Sequence, residues 1–283
     1  MTATLEQSTP VRPTRQPVHP VRQALRLART ELTLMYRYKT ALYLAVIMPL
    51  IFVLPLRNID FAPVLPGVDG QAFGFAAFFA VCAATVGILH VSNVYAARRE
   101  ELVLKRLRVS GVPTAAIFGA TALSVIAVVA VQSAAIVALI ALLTGVLPAD
   151  PMMLVVSILL TCVIMTLLGA ALTRYTRNAE STQMLSMLPF FALVAASGAF
   201  VPLELMPGPV ASVLGLMPTA PAVALARSAY FGYDFFGGVE GATAATGLDL
   251  WMAAGPSLLT LAAWLALSAY ALRGFRWDPR QAR

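Results

Sequence analysis

Side chains that could do chemistry are sparse in this sequence, and they do not cluster. Both cysteines, Cys82 and Cys162, lie inside apolar stretches, where a thiol is most simply a small packing residue. We therefore expect neither a disulfide framework nor a metal site. His90, with Asn93 three residues later, is the titratable candidate within a long apolar run; it is either a hydrogen-bonded structural histidine or part of a binding path. None of the long apolar runs holds the paired carboxylates, histidine cluster or Ser/His/Asp set that acid–base or nucleophilic catalysis needs.

A phosphate-binding loop of the Gly-x-x-x-x-Gly-Lys-Ser/Thr type is also missing. The two lysines are Lys39 and Lys105, and they follow Tyr38 and Leu104 instead of a glycine. We therefore expect this chain to bind no cofactor itself, and any ATP to be hydrolysed by another chain or domain.

The elements that carry these residues are apolar enough to cross a membrane. Hydrophobic residues make up 59% of the chain and charged residues 12%, whereas a soluble domain is about 25% charged. A soluble all-helical protein would need helices with a charged outer face, which these runs lack. The sequence predicts an all-α integral membrane protein with six transmembrane helices, over residues 40–56, 72–97, 115–145, 152–173, 184–201 and 249–272.

Basic residues alternate along the gaps between these runs. Of the 20 Lys and Arg residues, 18 fall before the first span, between spans two and three, between spans four and five, or after the sixth. Acidic residues divide 6 and 7 over the same two sets of gaps. This positive-inside bias predicts a multi-pass protein with both termini in the cytoplasm, whereas a nucleic-acid-binding surface has no reason to alternate. The excess of Arg over Lys (18 to 2) is typical of GC-rich bacterial coding, so we expect a bacterial cell membrane.

The segment before the first span predicts an amphipathic interface helix over residues 21–38, after a disordered cytoplasmic tail over residues 1–20. Its apolar and basic positions recur every three to four residues, as in a helix that lies along lipid headgroups. It is either a plain surface anchor or a docking surface for a cytoplasmic partner. The apolar face comprises Val21, Leu25, Ala28, Leu32 and Met35, and the basic residues are Arg22, Arg26, Arg29 and Arg37.

The second cytoplasmic gap predicts a short charged helix between two long spans. Glu101 and Lys105 are four residues apart, as helix-stabilising ion pairs are, and Gly111 followed by Pro113 supplies a stop. Such a helix either transmits a push from outside the membrane or is an ordinary charged connector. The candidate coupling residues are Glu100, Glu101, Leu104, Lys105, Arg106, Leu107, Arg108 and Gly111.

The gap between the fifth and sixth spans, residues 202–248, is too apolar for a free loop. Two stretches, 209–216 and 220–230, are each too short to cross a bilayer. They predict a re-entrant helical hairpin that turns at residues 217–221, since irregular backbone at membrane depth must be covered by protein or line a cavity. A helical cap lying on the outer surface is the alternative.

Three segments stand out in this layout: Arg98-Arg99-Glu100-Glu101 with Leu104-Lys105-Arg106-Leu107-Arg108; Phe200-Val201-Pro202-Leu203-Glu204 with Met206-Pro207 and Met217-Pro218; and Phe275-Arg276-Trp277-Asp278-Pro279-Arg280. In this order and with six spans, they resemble the permease subunit of type-two ABC transporters, the group of daunorubicin-resistance and polysaccharide exporters. The resemblance covers residues 21–280. The chain departs from the family in having Leu102-Val103 where Gly-Thr is common, and Gly111 where Pro is common.

This resemblance implies a drug-exporter-like dimer of permeases, identical or paired with a close relative, on two copies of a separate ATPase that binds ATP and Mg²⁺. Residues 39–273 would form the transmembrane domain and residues 274–283 a cytoplasmic tail. The transport path would run along the first, second and fifth spans, where aromatic faces suit an amphipathic or lipid-like cargo, although phenylalanines at such positions commonly serve packing alone. The path candidates are Phe75, Phe78, Phe79, His90, Asn93, Phe190 and Phe191.

An ion-coupled secondary transporter is the main alternative function. Such carriers commonly hold the coupling ion with ionisable groups buried in their spans, and charged residues are nearly missing from the six runs here. A membrane scaffold without transport activity is a further alternative.

Overall fold

The structure is a computed structural model that describes residues 20–37, 43, 47, 51, 63–201, 203 and 206–278. All regular secondary structure in these residues is helical. Most of the predicted first span (40–56), the tail over residues 1–19, and residues 202, 204, 205 and 279–283 lie outside the described residues.

The described residues include twelve α-helices, one π-helical segment and two 3₁₀ turns with defined bounds. In chain order they are α1 (Pro20–Arg37), α2 (Gly70–Ala76), α3 (Phe78–Ala84), a π-helical segment (Thr85–His90), α4 (Val91–Glu100), α5 (Val103–Val109), α6 (Thr114–Thr144), α7 (Pro151–Leu172), a 3₁₀ turn (Thr173–Tyr175), α8 (Ala179–Ala196), α9 (Gly208–Gly215), α10 (Thr219–Phe231), α11 (Gly247–Ala253), α12 (Gly255–Ala271) and a 3₁₀ turn (Leu272–Gly274).

Four described helices are long and apolar enough to cross a membrane: Gly70–Glu100, Thr114–Thr144, Pro151–Tyr175 and Gly255–Gly274. The first three lie within a few residues of the predicted second, third and fourth spans. The fourth corresponds to the predicted sixth span but begins later, because the chain breaks at Ala254 and residues 247–253 form the separate helix α11.

The predicted fifth span, 184–201, corresponds to α8, which lies several residues earlier in the chain. Asn178 caps its first turn by accepting a hydrogen bond from the Ser181 amide, so that Glu180 and Gln183 fall inside the helix. The helix ends at Ala196, ahead of Gly198 with its φ of +62°. With polar residues in its first turns, α8 is not among the four apolar spans, and a total of six stays a prediction.

Helices α9 and α10 form a bent pair, with 81° between them across a short break. Pro207 precedes α9 and Pro218 precedes α10. Proline is favoured at the start of a helix because it lacks an amide hydrogen, and the first amides of a helix have no partner within the helix. Helices thus occupy both stretches that the sequence predicts for a hairpin. Whether they re-enter the membrane stays a prediction.

The helix Gly70–Glu100, which comprises α2, α3, the π-helical segment and α4, lies at the centre of the fold, and we call it the central helix. In its most apolar window 83% of residues are buried. Its π-helical segment crosses α7 with backbone against backbone, since a Cβ added at Gly169 would overlap the carbonyl oxygen of Gly87. Only glycine permits this approach. The central helix therefore connects one end of the molecule to the other through a closely packed core.

Candidate functional site: the charged elbow

The predicted coupling segment forms a sharp change of direction at one end of the central helix, and we call residues 98–111 the charged elbow. Helix α4 ends at Glu100, and Leu102 adopts a left-handed conformation with φ of +58° before α5 begins at Val103. Leu102 is the one described non-glycine residue with positive φ. Glycine adopts this conformation at least cost, so a leucine at this position is strained.

Helix α5 has one face in the protein and one in solvent. Leu104 is fully buried and Leu107 is half-buried, so the short helix is fixed against the core. Gly111, with φ of +78°, follows its last turn, and the amide of Val112 donates to the carbonyl of Leu107. The exposed face carries Glu101, Lys105, Arg106, Arg108 and Val109.

The first charged residue of the elbow is joined to the N-terminal helix by an ion pair. Arg98 donates to the carboxylate of Glu31 over 2.6 Å, with about a fifth or less of either side chain exposed. The same carboxylate accepts hydrogen bonds from the hydroxyls of Thr121 and Ser124 in α6, each over 3.0 Å. Sequence reasoning missed this pair, although Glu31 is the one acidic residue in the basic segment 21–38. Helices α1, α4 and α6 therefore meet at one polar site.

The next two charged residues point to the connection between α7 and α8. Arg99 is 1% exposed and donates to the carbonyl oxygens of Thr173 and Thr176. Glu100 accepts a hydrogen bond from the amide of Ala179 over 2.7 Å. Glu100, predicted as a coupling contact, thus has its carboxylate on α8. Arg99 belongs to a segment that carries the family resemblance, but it was not among the predicted coupling residues.

The chain's C-terminal part packs against the elbow. Phe275 is buried, with its ring edge towards Tyr95 and Phe118 at centroid distances of 5.7 and 5.2 Å. The Arg108 guanidinium lies 5.5 Å from the centroid of the Trp277 ring. Lys105 and Asp278 form an exposed ion pair at 3.4 Å. Residues 275–278, predicted as part of a tail, therefore support the elbow.

Helix α1 packs against α6 through small residues. Ala24 and Ala28 are buried, and a Cβ at Gly119 would lie 3.8 Å from the Ala24 side chain. Close approach of α6 favours alanines at this contact, whereas Val21 and Leu25 are 58% and 54% exposed within the protein. The lipid contact of the predicted apolar face stays a prediction. The predicted basic residues of this helix are all exposed: Arg22, Arg26, Arg29 and Arg37.

The phenylalanines predicted to line a transport path lie mostly in the core. Phe75, Phe78 and Phe79 are at most 2% exposed, and the Phe79 ring stacks on that of Tyr230 at 6.3 Å. On α8, Phe190 is buried while its neighbour Phe191 is 63% exposed. Within one protomer Phe191 is thus the member of this set that faces outwards, and a role in transport stays a prediction for all of them.

His90 and Asn93 border a cavity of about 440 Å³ beside the elbow. The described residues around it also include Glu31, Arg98 and Glu101. The Asn93 amide donates to the side-chain oxygen of Gln183 over 3.4 Å, which links the central helix to α8. The two polar residues therefore lie near the elbow, at the junction of the apolar core with charged groups.

At the opposite end of the central helix, Arg227 of α10 bridges three segments. Its Nε donates to the carbonyl of Phe73 and its Nη2 to that of Gly198, each over 3.2 Å. The guanidinium lies 3.9 Å from the centroid of the Phe73 ring, within cation–π range. A second cavity of about 440 Å³ adjoins Arg227 and the bent pair. Sequence reasoning placed Arg227 on the outer side but gave it no role.

The described residues contain no group of three or more His, Cys, Asp or Glu side chains that could hold a metal ion.

No curated protein matches the chain. A family model described as ABC-2 type transporter matches residues 22–231. That range is more than half of the chain and includes α1, the charged elbow and the bent pair. The chain therefore belongs to the ABC-2 type transporter family, whose members are multi-pass membrane permeases of ABC transporters.

Proposed function

We propose that this chain is the membrane-spanning permease subunit of an exporter powered by a separate ATPase. The observation that carries the proposal is the charged elbow, whose exposed ionic face is rigidly joined to a buried central helix. A short helix of this kind converts pressure on its outer face into movement of the helix that bears it. ATP and Mg²⁺ bind the ATPase and not this chain.

The exposed elbow residues supply the docking chemistry. Lys105, Arg106 and Arg108 lie on the face of α5 that points away from the core, and Glu101 is exposed just before this helix begins. Val109, 81% exposed, adds an apolar group to this charged surface. A buried apolar contact within a ring of ionic contacts is a common arrangement at protein interfaces. We therefore assign this face to the ATPase, with the basic face of α1 beside it.

The assembly consists of two permease copies, identical or closely related, on two ATPase copies. It lies in the bacterial cell membrane with both chain termini in the cytoplasm, as the alternation of basic residues predicts. Six spans complete the permease, with the bent pair α9–α10 re-entering the membrane on the outer side.

The cargo class follows from the apolar character of the helix faces. Phe191, Leu188 and Met184 on α8 are each more than 60% exposed. Such a face offers dispersion contacts and few hydrogen bonds, which favours an amphipathic or lipid-like substrate such as a drug or antibiotic. A sugar chain would need many more polar partners.

Charge reversal at the elbow tests the proposal. Glu101→Lys and Arg106→Glu alter exposed groups, so the chain should fold normally while ATP hydrolysis no longer drives transport. The measurement compares ATP hydrolysis with efflux of a fluorescent amphipathic dye by the permease–ATPase complex in vesicles. Glu240→Lys, an exposed reversal beyond the bent pair, is the matched control and should leave coupling unchanged.

Full ATP-driven efflux by both elbow variants would overturn the assignment. Efflux that continues without ATP and collapses with the proton gradient would instead establish an ion-coupled secondary transporter.

A further inference from the structure

Arg99 and Glu100 are consecutive residues of opposite charge, and each contacts a different helix. Each contacts the helix end whose partial charge is opposite to its own. The C-terminal end of a helix carries a partial negative charge and the N-terminal end a partial positive one. Arg99 reaches the carbonyls that follow α7, and Glu100 reaches the first amide of α8. The connection between α7 and α8 is thus held from both of its ends by adjacent residues of α4.

The arginine half of this arrangement is deeply buried. Arg99 is one of the largest side chains with less than 2% exposure. Burying a guanidinium is unfavourable unless its charge is compensated, and the two carbonyls lie at 2.7 and 2.8 Å, in the range of charge-assisted hydrogen bonds. The planar fork of arginine can reach both oxygens at once, which a lysine ammonium cannot do in the same way.

The glutamate half completes the cap of α8. The first amides of a helix lack partners within the helix, and Asn178 already accepts from the Ser181 amide. Glu100 accepts from the Ala179 amide, which the asparagine does not reach. About two turns into α4 and one turn into α8 from this point, the Asn93 side chain donates to that of Gln183, which is a second contact between the two helices. Helices α4 and α8 are thus bonded at two levels.

The position of the pair in the chain links it to the elbow. Leu102, where the chain turns, lies two residues after Glu100, and α5 begins immediately afterwards. Leu104 is buried in the main core. A displacement of α5 therefore reaches the Arg99–Glu100 pair before any other part of the central helix.

We propose that the Arg99–Glu100 pair is a positioning device that makes the α7–α8 connection move together with the elbow. Pressure on α5 then shifts α8, and with it the exposed apolar face that bears Phe191, as one unit with the central helix. The link between elbow and α8 stands on the structure alone, and its use in transport rests on the function proposed above.

Distance measurements on the full chain in phospholipid nanodiscs test the link without any ATPase. Spin labels are placed at Val109 and Glu180, both exposed, in a background with Cys82→Ala and Cys162→Ala. They measure the distance from α5 to the start of α8, which the Arg99–Glu100 pair should hold constant. The unaltered pair should give one narrow distance distribution. Arg99→Lys and Glu100→Lys should lose it, whereas Glu100→Gln, which keeps an oxygen acceptor for the Ala179 amide, should retain it.

Two controls distinguish a local link from general stability. Arg106→Gln alters an exposed elbow charge and should leave the distribution narrow. Labels at Leu142 and Met152, exposed residues near the adjoining ends of α6 and α7, should give the same narrow distribution in every variant. A narrow Val109–Glu180 distribution in both Arg99→Lys and Glu100→Lys would overturn the proposal. So would a loss shared equally by the Leu142–Met152 pair, because the residues would then only stabilise the fold.

Coupling in the permease–ATPase complex separates this inference from the proposed function. Glu100→Lys should lower dye efflux per ATP hydrolysed by about tenfold, since a lost charge-assisted hydrogen bond changes an equilibrium by that order, and Glu100→Gln should restore it. A lost distance distribution with unchanged coupling would contradict the role of the elbow in transport and leave the structural link intact.

Discussion

The two ends of the central helix are built in different ways. At the elbow, three consecutive charged residues each hold a different part of the fold: Arg98 holds α1, Arg99 holds the end of α7 and Glu100 holds the start of α8. At the other end, Arg227 contacts two carbonyls and a ring, and the neighbouring helices α9 and α10 are short and bent by 81°.

This difference indicates a division of labour between the ends. Charge-assisted hydrogen bonds join α4 to α1, to the end of α7 and to the start of α8 at the elbow end, which the proposed transmission of force requires. A cavity of similar volume lies near each end, but the helices at the opposite end are short and sharply bent, and interrupted helices can shift with few bonds lost. Such an arrangement would allow a push at the elbow to change the opposite end.

The largest expected effect is at the elbow end, from breaking the pair between Glu31 and Arg98. Glu31→Ala leaves a largely buried guanidinium without its carboxylate, which should lower the free energy of unfolding by about 3 kcal/mol. Thermal unfolding in nanodiscs can be followed with a thiol-reactive dye, because Cys82 and Cys162 are both buried.

Two further variants sharpen this result. Glu240→Ala removes an exposed acid far from the elbow and should leave the unfolding temperature unchanged. Replacing both partners, Glu31→Leu with Arg98→Leu, should recover most of the loss, since no charge then remains unpaired. An unfolding temperature for Glu31→Ala equal to that of the unaltered chain would show that the elbow end is not held by this pair.

A smaller effect is expected at the opposite end from Arg227→Gln. The variant loses a cation–π contact and at least one of two hydrogen bonds, which together contribute about 2 kcal/mol. Limited proteolysis should show the residues around α9 cut faster, while the spin-label distance between Val109 and Glu180 stays the same. Glu240→Gln is the control. Loosening of the elbow by Arg227→Gln would contradict the independence of the two ends.

The smallest effect is expected for the exposed pair of Lys105 and Asp278. Their side chains are 59% and 66% exposed, and such pairs contribute about 0.5 kcal/mol or less. Lys105→Met should therefore unfold at nearly the same temperature as the unaltered chain. Trp277→Ala, which removes aromatic contacts to Phe118 and Phe275, should unfold earlier. The reverse order would mean that surface charge, and not buried contact, fixes the elbow.

Apolar runs predicted the described spans well, because lipid imposes a long hydrophobic stretch on any helix that crosses it. The start of the last span was wrong, since residues 249–253 are apolar enough to continue it and only the backbone breaks at Ala254. The start of α8 was missed because the Asn178 cap extends the helix into polar residues. A hydrogen bond at a helix end depends on one or two residues, so it does not change the hydropathy averaged over a span-length stretch of sequence.

The elbow was predictable as a charged segment but not as a set of contacts. Charge pattern located residues 98–111, yet it could not say that Arg99 is buried, since a buried arginine looks like an exposed one in sequence. The same holds for Phe75 and Phe78, whose burial depends on the neighbouring helices. The tertiary partners decide which charge faces a helix end and which faces water.

We propose that the charged elbow faces the cytoplasm, where an ATPase can press on it. Labelling of Val109→Cys and Glu240→Cys, two exposed positions, with a membrane-impermeant maleimide in the Cys82→Ala, Cys162→Ala background tests this orientation most directly. In intact cells Glu240→Cys should react and Val109→Cys should not. In inside-out vesicles Val109→Cys should react and Glu240→Cys should not. Reaction of Val109→Cys from outside intact cells would contradict the account.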